Sequence, residues 1–254
     1  MSDALLDALA ARSGIVCAVG AGGKKTTLYA LAAAHPGRVG LTATVFTVKF
    51  PRRLGAHAIV SDADDLCAQV REAAPLHRIV AWARPSQKSG RVAGVSGEEV
   101  AQCHTAGGFD ATFVKADGAR MRGIKAPRTD EPVVPAAAGT VLPIVSAAVF
   151  GQPLSERIAH RAERVAAVTG LAAGATITPQ AVGRLLAASD GALQHAGRAT
   201  VVPVINAVDD VARRAAAEEA AALALAATNR FDRVVLTSHG GTGDPLVGVV
   251  RRER

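Results

Sequence analysis

The sequence predicts an α/β fold of three layers, a mainly parallel sheet with helices on both faces and a small helical insertion. Three observations carry this. Short Val-, Ile- and Ala-rich runs alternate with helix-compatible stretches along most of the chain, as parallel strands joined by crossover helices do. The first apolar run breaks into glycines and lysines where a helix should begin. A later run ends in Asp117-Gly118, which sets a carboxylate at the C-terminal edge of the sheet, where open α/β sheets hold ligands.

The elements follow in order. Leu5, Leu6 and Leu9 make a short amphipathic helix, Gly14 to Val19 a strand, and Thr26 to about Ala34 a helix. Strands are expected at Arg38–Thr44, His57–Ser61 and Arg78–Ala83, with a helix from Ala63 to about Ala73. Pro85, Gly90 and Gly94 make Arg84–Val95 rich in turns and compatible with a hairpin. Ser96 with Glu99 three residues later is a capping box, so a helix should run to about Thr105 and end at Gly107-Gly108. Asp110 to Asp117 reads as the next strand, and the polar, proline-broken stretch from Gly118 to Pro135 as a long connection of the functional kind. Thr140–Ser146 is a further strand. Helices over Ser155 to about Thr169 and Pro179–Ala188 form the insertion, at about 150–195 of a single domain spanning 1–254. Thr200–Ile205 is a buried-type strand, Asp209–Thr228 a long Ala-rich helix, and Arg233–Thr237 the last core strand.

Composition narrows the function classes. With 254 residues and 49% hydrophobic content the chain can bury a large core, and 3% aromatics means that Ala, Val, Leu and Ile build it. The net charge of +7 favours anionic ligands, but the basic residues are scattered and no aromatic-basic module accompanies them, which argues against nucleic acid. Cys17, Cys67 and Cys103 are odd in number, far apart and in no C-x-x-C pair, against a disulfide framework or a zinc site and in favour of a reducing cytosol. An acidic N-terminus and the lack of a long apolar run predict a cytoplasmic protein with no membrane contact.

The chemistry concentrates at Gly20-Ala21-Gly22-Gly23-Lys24-Lys25-Thr26-Thr27. Glycines let successive backbone N–H groups point into one concavity, a lysine adds mobile positive charge, and a hydroxyl holds a divalent metal. This is a phosphate-binding loop, although neither register of G-x-x-x-x-G-K-[ST] is clean. If Gly23-Lys24 is the Gly-Lys pair, Lys25 takes the hydroxyl position and Ala18 that of the first glycine; if Lys25-Thr26 is the Lys-Thr pair, Lys24 displaces the last glycine. A dinucleotide fingerprint is weaker, since Lys25 stands where its third glycine belongs.

Asp117 has the form of an acid that holds Mg²⁺ together with Thr26, giving a P-loop NTPase-like fold that binds ATP or GTP, with Lys24 or Lys25 neutralising the transferring phosphoryl group. Thr42 and Thr44 lie at a strand end near the loop, where they either bond phosphate or pack. Arg120, Arg122 and Lys125 are placed to clamp an anionic second substrate. Asn206-Ala207-Val208-Asp209 follows a buried strand and resembles the N-K-x-D element that reads guanine, with Ala207 for the lysine; equally, Asn206 closes a turn and Asp209 caps the long helix. His160 and His239 read more readily as surface or capping groups than as bases.

Taken together, Val19 to Leu28, Thr42-Ala43-Thr44, Ala116-Asp117-Gly118-Ala119, Lys125-Ala126-Pro127 and Asp130-Glu131-Pro132 resemble the YqeC family of selenium-dependent hydroxylase accessory proteins. His160-Arg161 with Glu163, and the Asn206 segment, also resemble family positions. The resemblance implies a P-loop-type fold, bound nucleotide, and a molybdenum hydroxylase or its cofactor-maturation proteins as partner. Two departures stand out: the family usually has Glu before Ala-Asp-Gly where this chain has Lys115, and its loop commonly reads Gly-Gly-Lys-Thr where Lys25 intervenes here. Cleavage of the nucleotide and binding without cleavage, as a scaffold or chaperone, are both open on these residues.

Overall fold

The computed structural model describes residues 3–241 and 243–252. The chain opens with α1 (Asp3–Ala8), β1 (Gly14–Gly20), α2 (Lys24–Ala34), β2 (Val39–Ala43), β3 (Thr47–Val48) and β4 (His57–Val60). It continues through α3 (Leu66–Ala73), β5 (Ile79–Ala83), β6 (Arg91–Val92), α4 (Gly97–Gly107), β7 (Ala111–Lys115), β8 (Ile124–Lys125) and β9 (Ala138–Ser146). The last third holds β10 (Ala159–His160), α5 (Ala162–Thr169), α6 (Pro179–Ala187), β11 (Thr200–Val201), β12 (Val204–Asn206), α7 (Val211–Ala227), β13 (Arg233–Thr237) and β14 (Leu246–Arg251).

Ten strands form one sheet in the order β14-β13-β12-β9-β1-β7-β2-β5-β4, with β11 also on β9. Every pairing is parallel except β13 with the edge strand β14. The expected α/β architecture of mainly parallel strands is therefore observed. Alternate residues of β1 feed two cores: Ile15, Cys17 and Val19 pack with α3, α4, α6 and α7 on one face, and Val16 and Ala18 with α1 and α2 on the other. β1 sits in the middle, and the chain fills one side of it through β7 before jumping across to β9. That reversal opens a crevice at the strands' C-terminal ends, beside the loop that leaves β1.

Several boundaries differ from expectation for identifiable reasons. Thr200–Ile205 is split into β11 and β12 because Pro203 has no N–H to donate; the break lies opposite Pro143 of β9, so two missing donors face each other. The helix expected from Ser155 starts only at Ala162, after Ala159 and His160 pair in parallel with Ile124 and Lys125. β14 extends the sheet beyond the strand expected to be last. Ser96 and Glu99 do form the reciprocal capping box. The cysteine expectation is corrected: Cys67 of α3 and Cys103 of α4 form a disulfide, because the two helices pack together and bring their Cα atoms within 4.7 Å across 36 residues of sequence. Spacing along the chain carries no signal of that contact. Cys17 stays a free thiol in the core, pushed up to about 12 by burial and so unreactive. Among the described residues no helix is long and apolar enough to cross a membrane.

Candidate functional site

The glycine loop leaves the centre of the sheet at Gly20 and enters α2 at Lys24, with Gly23 as its N-cap and no side-chain cap. The conformation needs glycine. Gly22 has φ +85° and a Cβ there would lie 2.5 Å from Ser146 N, while Gly23 has φ +135° and a Cβ there would collide with the Asn206 amide. Lys24 is the first helical residue and Lys25 the second.

Behind the loop lies a buried ion network centred on Asp117, whose side chain is 2% exposed. Its Oδ2 accepts from Gly20 N at 2.8 Å and from Lys125 Nζ at 2.9 Å. Its Oδ1 lies 2.8 Å from Lys24 Nζ, in ion-pair contact although not aligned for a hydrogen bond. The Lys24 ammonium also donates to the Gly20 carbonyl. Burial pulls the Lys24 ammonium below its ordinary range and Asp117 pulls against it. Lys125 further donates to Gly118 O at 2.8 Å and pairs with Glu131 at 2.7 Å. Glu131 in turn takes both guanidinium nitrogens of Arg161, at 2.8 and 2.9 Å. Those hydrogen bonds from Arg161 and Lys125 outweigh burial and hold Glu131 down at about 2.

In front of the loop is an open cleft of about 410 Å³. Gly22, Gly23 and Thr26 form its floor, together with six cationic side chains: Lys24, Lys25, Arg91, Lys115, Arg120 and Arg122. No Asp or Glu is among the described residues that line it. Phe46, Val48 and Met121 make an apolar rim, each solvent-exposed, Met121 by 96%. Lys115 is brought down to about 8, by burial first and then by the neighbouring Lys24, Lys25 and Lys125, against the pull of Asp117. Arg120 and Met121 both have left-handed backbone, φ +45° and +60°, a conformation that costs a non-glycine residue roughly 1–3 kcal/mol and that gathers at ligand sites.

The remaining expected residues divide. Gly20, Ala21, Gly22 and Gly23 form the loop, and Lys24, Lys25, Thr26 and Arg120 reach the cleft, whereas Thr27 is buried in α2 with its hydroxyl unpartnered. Thr42 and Thr44 do not line the cleft: Thr42 donates to Trp82 O and Thr44 to Val133 O, both at 2.7 Å. Lys125 sits behind the loop in the ion network. Asn206 is buried and ties two elements together, donating to Gly22 O at 2.8 Å and accepting from Thr237 Oγ1 at 3.0 Å. Asp210, rather than Asp209, caps α7. Asp209 accepts from Ser238 Oγ at 2.6 Å and pairs with Arg213 at 3.1 Å. His160 and His239 are both lowered by burial, and His239 Nε2 is buried without a partner. Sequence reasoning missed Phe46, Val48 and Arg91, which arrive just before and on the paired strands β3 and β6 and carry no motif.

The family described as YqeC protein matches residues 16–163, more than half of the chain. The chain belongs to the YqeC family. No curated protein matches it. The YqeC match contains the whole glycine loop, Asp117, Lys125, Glu131 and Arg161, so the buried network and the cleft both fall within it. Asn206, Asp209 and Ser238 lie beyond the part matched to YqeC.

Proposed function

We propose that this protein is a nucleotide-binding accessory factor whose cleft grips the polyphosphate of a guanine nucleotide. Membership of the YqeC family supports a role in the maturation of selenium-dependent hydroxylases, with a molybdenum hydroxylase or its cofactor-maturation machinery as partner. The observation that carries the nucleotide reading is the cleft itself, an uncapped helix N-terminus and a glycine loop among six cations with no facing acid.

The base is assigned to the Asn206–Asp209 turn. Guanine presents two donors, N1–H and the 2-amino group, which a carboxylate accepts together; adenine presents an acceptor at N1 and is repelled. Asp209 does not cap α7, a role that Asp210 takes, and Ser238 orients its Oδ1. The exposed Arg213 pair is weak enough to be displaced. Asn206 spans the Gly22 carbonyl and Thr237, which links the base turn to the phosphate loop.

A magnesium ion on Thr26 and Asp117, the expected arrangement, does not fit these residues. Both Asp117 oxygens already face lysine ammonium groups, one of them also an amide N–H, so the carboxylate has no lone pair turned towards a metal beside Thr26. Of cleavage and binding without cleavage, the residues favour binding. Calorimetric titration with GTP, GDP and ATP tests the proposal. GTP is expected to bind at least tenfold more tightly than ATP, and Asp209→Asn to remove that preference while leaving ATP unchanged. No saturable binding of any nucleotide ends the proposal.

A further inference from the structure

We propose that the cleft binds the polyphosphate as the metal-free anion, with the Lys25 ammonium standing where a loop of this type places a divalent cation. The inference rests on the nucleotide reading above and deepens it. In a phosphate loop that ends Gly-Lys-Ser/Thr, the residue after the lysine supplies the hydroxyl that holds Mg²⁺ beside the β- and γ-phosphates. Here Gly23 is the N-cap and Lys24 the first helical residue, so Lys25 occupies that place, and it lines the cleft. Lys24 is committed to the Asp117 carboxylate and the Gly20 carbonyl, which leaves Lys25 as the loop's available ammonium.

The surroundings agree. Magnesium demands an octahedron of oxygens, commonly with one or two carboxylates, and its charge would enter a cleft lined, beside the paired Lys24, by five further cationic side chains and by no acid among the described residues. Asp117, the one carboxylate near the loop, is paired with Lys24 and Lys125. A polyphosphate without metal carries more negative charge than its magnesium complex, and it relieves the mutual repulsion of these cations more fully. Lys115, held near 8 in part by its lysine neighbours, reports the same crowding. An ammonium neutralises charge and donates hydrogen bonds but does not coordinate as a metal does, so this site holds a nucleotide more readily than it cleaves one.

The test is titration of the full chain with GTP and with inorganic triphosphate, each in excess EDTA and in millimolar Mg²⁺. Wild type is expected to bind both ligands in EDTA at least as tightly as in Mg²⁺. Lys25→Thr, which restores the hydroxyl, is expected to bind roughly tenfold more weakly in EDTA, about 1.4 kcal/mol, and to recover when Mg²⁺ is added. Lys25→Met is expected to lose the same affinity and not to recover, with thermal unfolding as the check that both variants fold. Wild-type binding that weakens tenfold or more in EDTA overturns this inference alone. A Lys25→Thr protein that matches wild type in EDTA overturns it too. Absence of binding under both conditions removes the nucleotide reading and this inference with it.

Discussion

Two groups of charged side chains flank the glycine loop, and they are organised in opposite ways. Behind it, Lys24, Asp117, Lys125, Glu131 and Arg161 are paired one to the next, and the most buried of them touch an opposite charge within 3 Å. In front, Lys25, Arg91, Lys115, Arg120 and Arg122 share a cleft that no Asp or Glu among the described residues lines. Removing charges from water is costly unless they are paired, so the rear group must be nearly neutralised for the fold to stand. The front group opens to solvent, apart from the half-buried Lys115, and can tolerate an excess of one sign. The difference separates the two groups by role: the rear network fixes where the loop sits, and the front cluster leaves an excess of positive charge at the surface.

That contrast can be broken most directly at Asp117. Asp117→Asn leaves Lys24 and Lys125 buried with too little opposing charge, and urea unfolding is expected to show a loss of about 3–5 kcal/mol; a loss below about 1 kcal/mol would mean the network is not structural. Glu131→Gln is expected to cost less, because that end of the chain is better hydrated. It also removes an acid-sensitive arm. With its folded value held near 2, Glu131 contributes stability that is complete above its ordinary 4.5 and is lost as pH falls towards 2, so the variant's stability should decline less steeply over that window than wild type.

The front cluster is expected to respond in binding rather than stability. Lys115 titrates near 8 in the free protein, against an ordinary 10.5, so the folded state releases a proton that the unfolded state keeps and stability from this group rises with pH between those values. An anion in the cleft favours its charged form. Nucleotide affinity should therefore fall as pH rises above about 8, by at most about tenfold per unit, with proton uptake visible in buffers of different ionisation enthalpy. Lys115→Met should flatten that slope. Arg120→Ala is expected to weaken nucleotide binding roughly tenfold, about 1.4 kcal/mol, with little change in stability, since the exposed residue keeps the same left-handed backbone as alanine that it has as arginine. The smallest effect separates a tether from a ligand: Thr44→Val should cost about 1 kcal/mol of stability through its lost bond to Val133 O and leave affinity untouched.

The sequence carried the strand-helix alternation and the glycine turn because each rests on local patterns, apolar periodicity and glycine geometry; it put Asp117 at a strand end but expected it to face the crevice, whereas it lies buried behind the loop. It was blind where meaning depends on what a side chain meets across the fold. Lys24 and Lys25 are adjacent and chemically identical, yet one is locked on Asp117 and the other faces the cleft; only the helix start separates them. Thr42 and Thr44 looked like phosphate ligands by proximity to the strand end, but their partners are Trp82 and Val133, 40 and 89 residues away. Cys67 and Cys103 met through helix packing that no spacing rule describes. Phe46, Val48 and Arg91 gained a place in the cleft from a two-residue strand pair too short to carry a pattern.

Asn206 has a mechanical consequence. One carboxamide clamps the carbonyl of Gly22 and the hydroxyl of Thr237, and Thr237 directly precedes the turn bearing Ser238. The glycine loop is thereby moored to the far end of the sheet, as a guy-rope steadies a mast. Recognition of a ring at one end and of its charged tail at the other would then tighten together, with no moving lid between them.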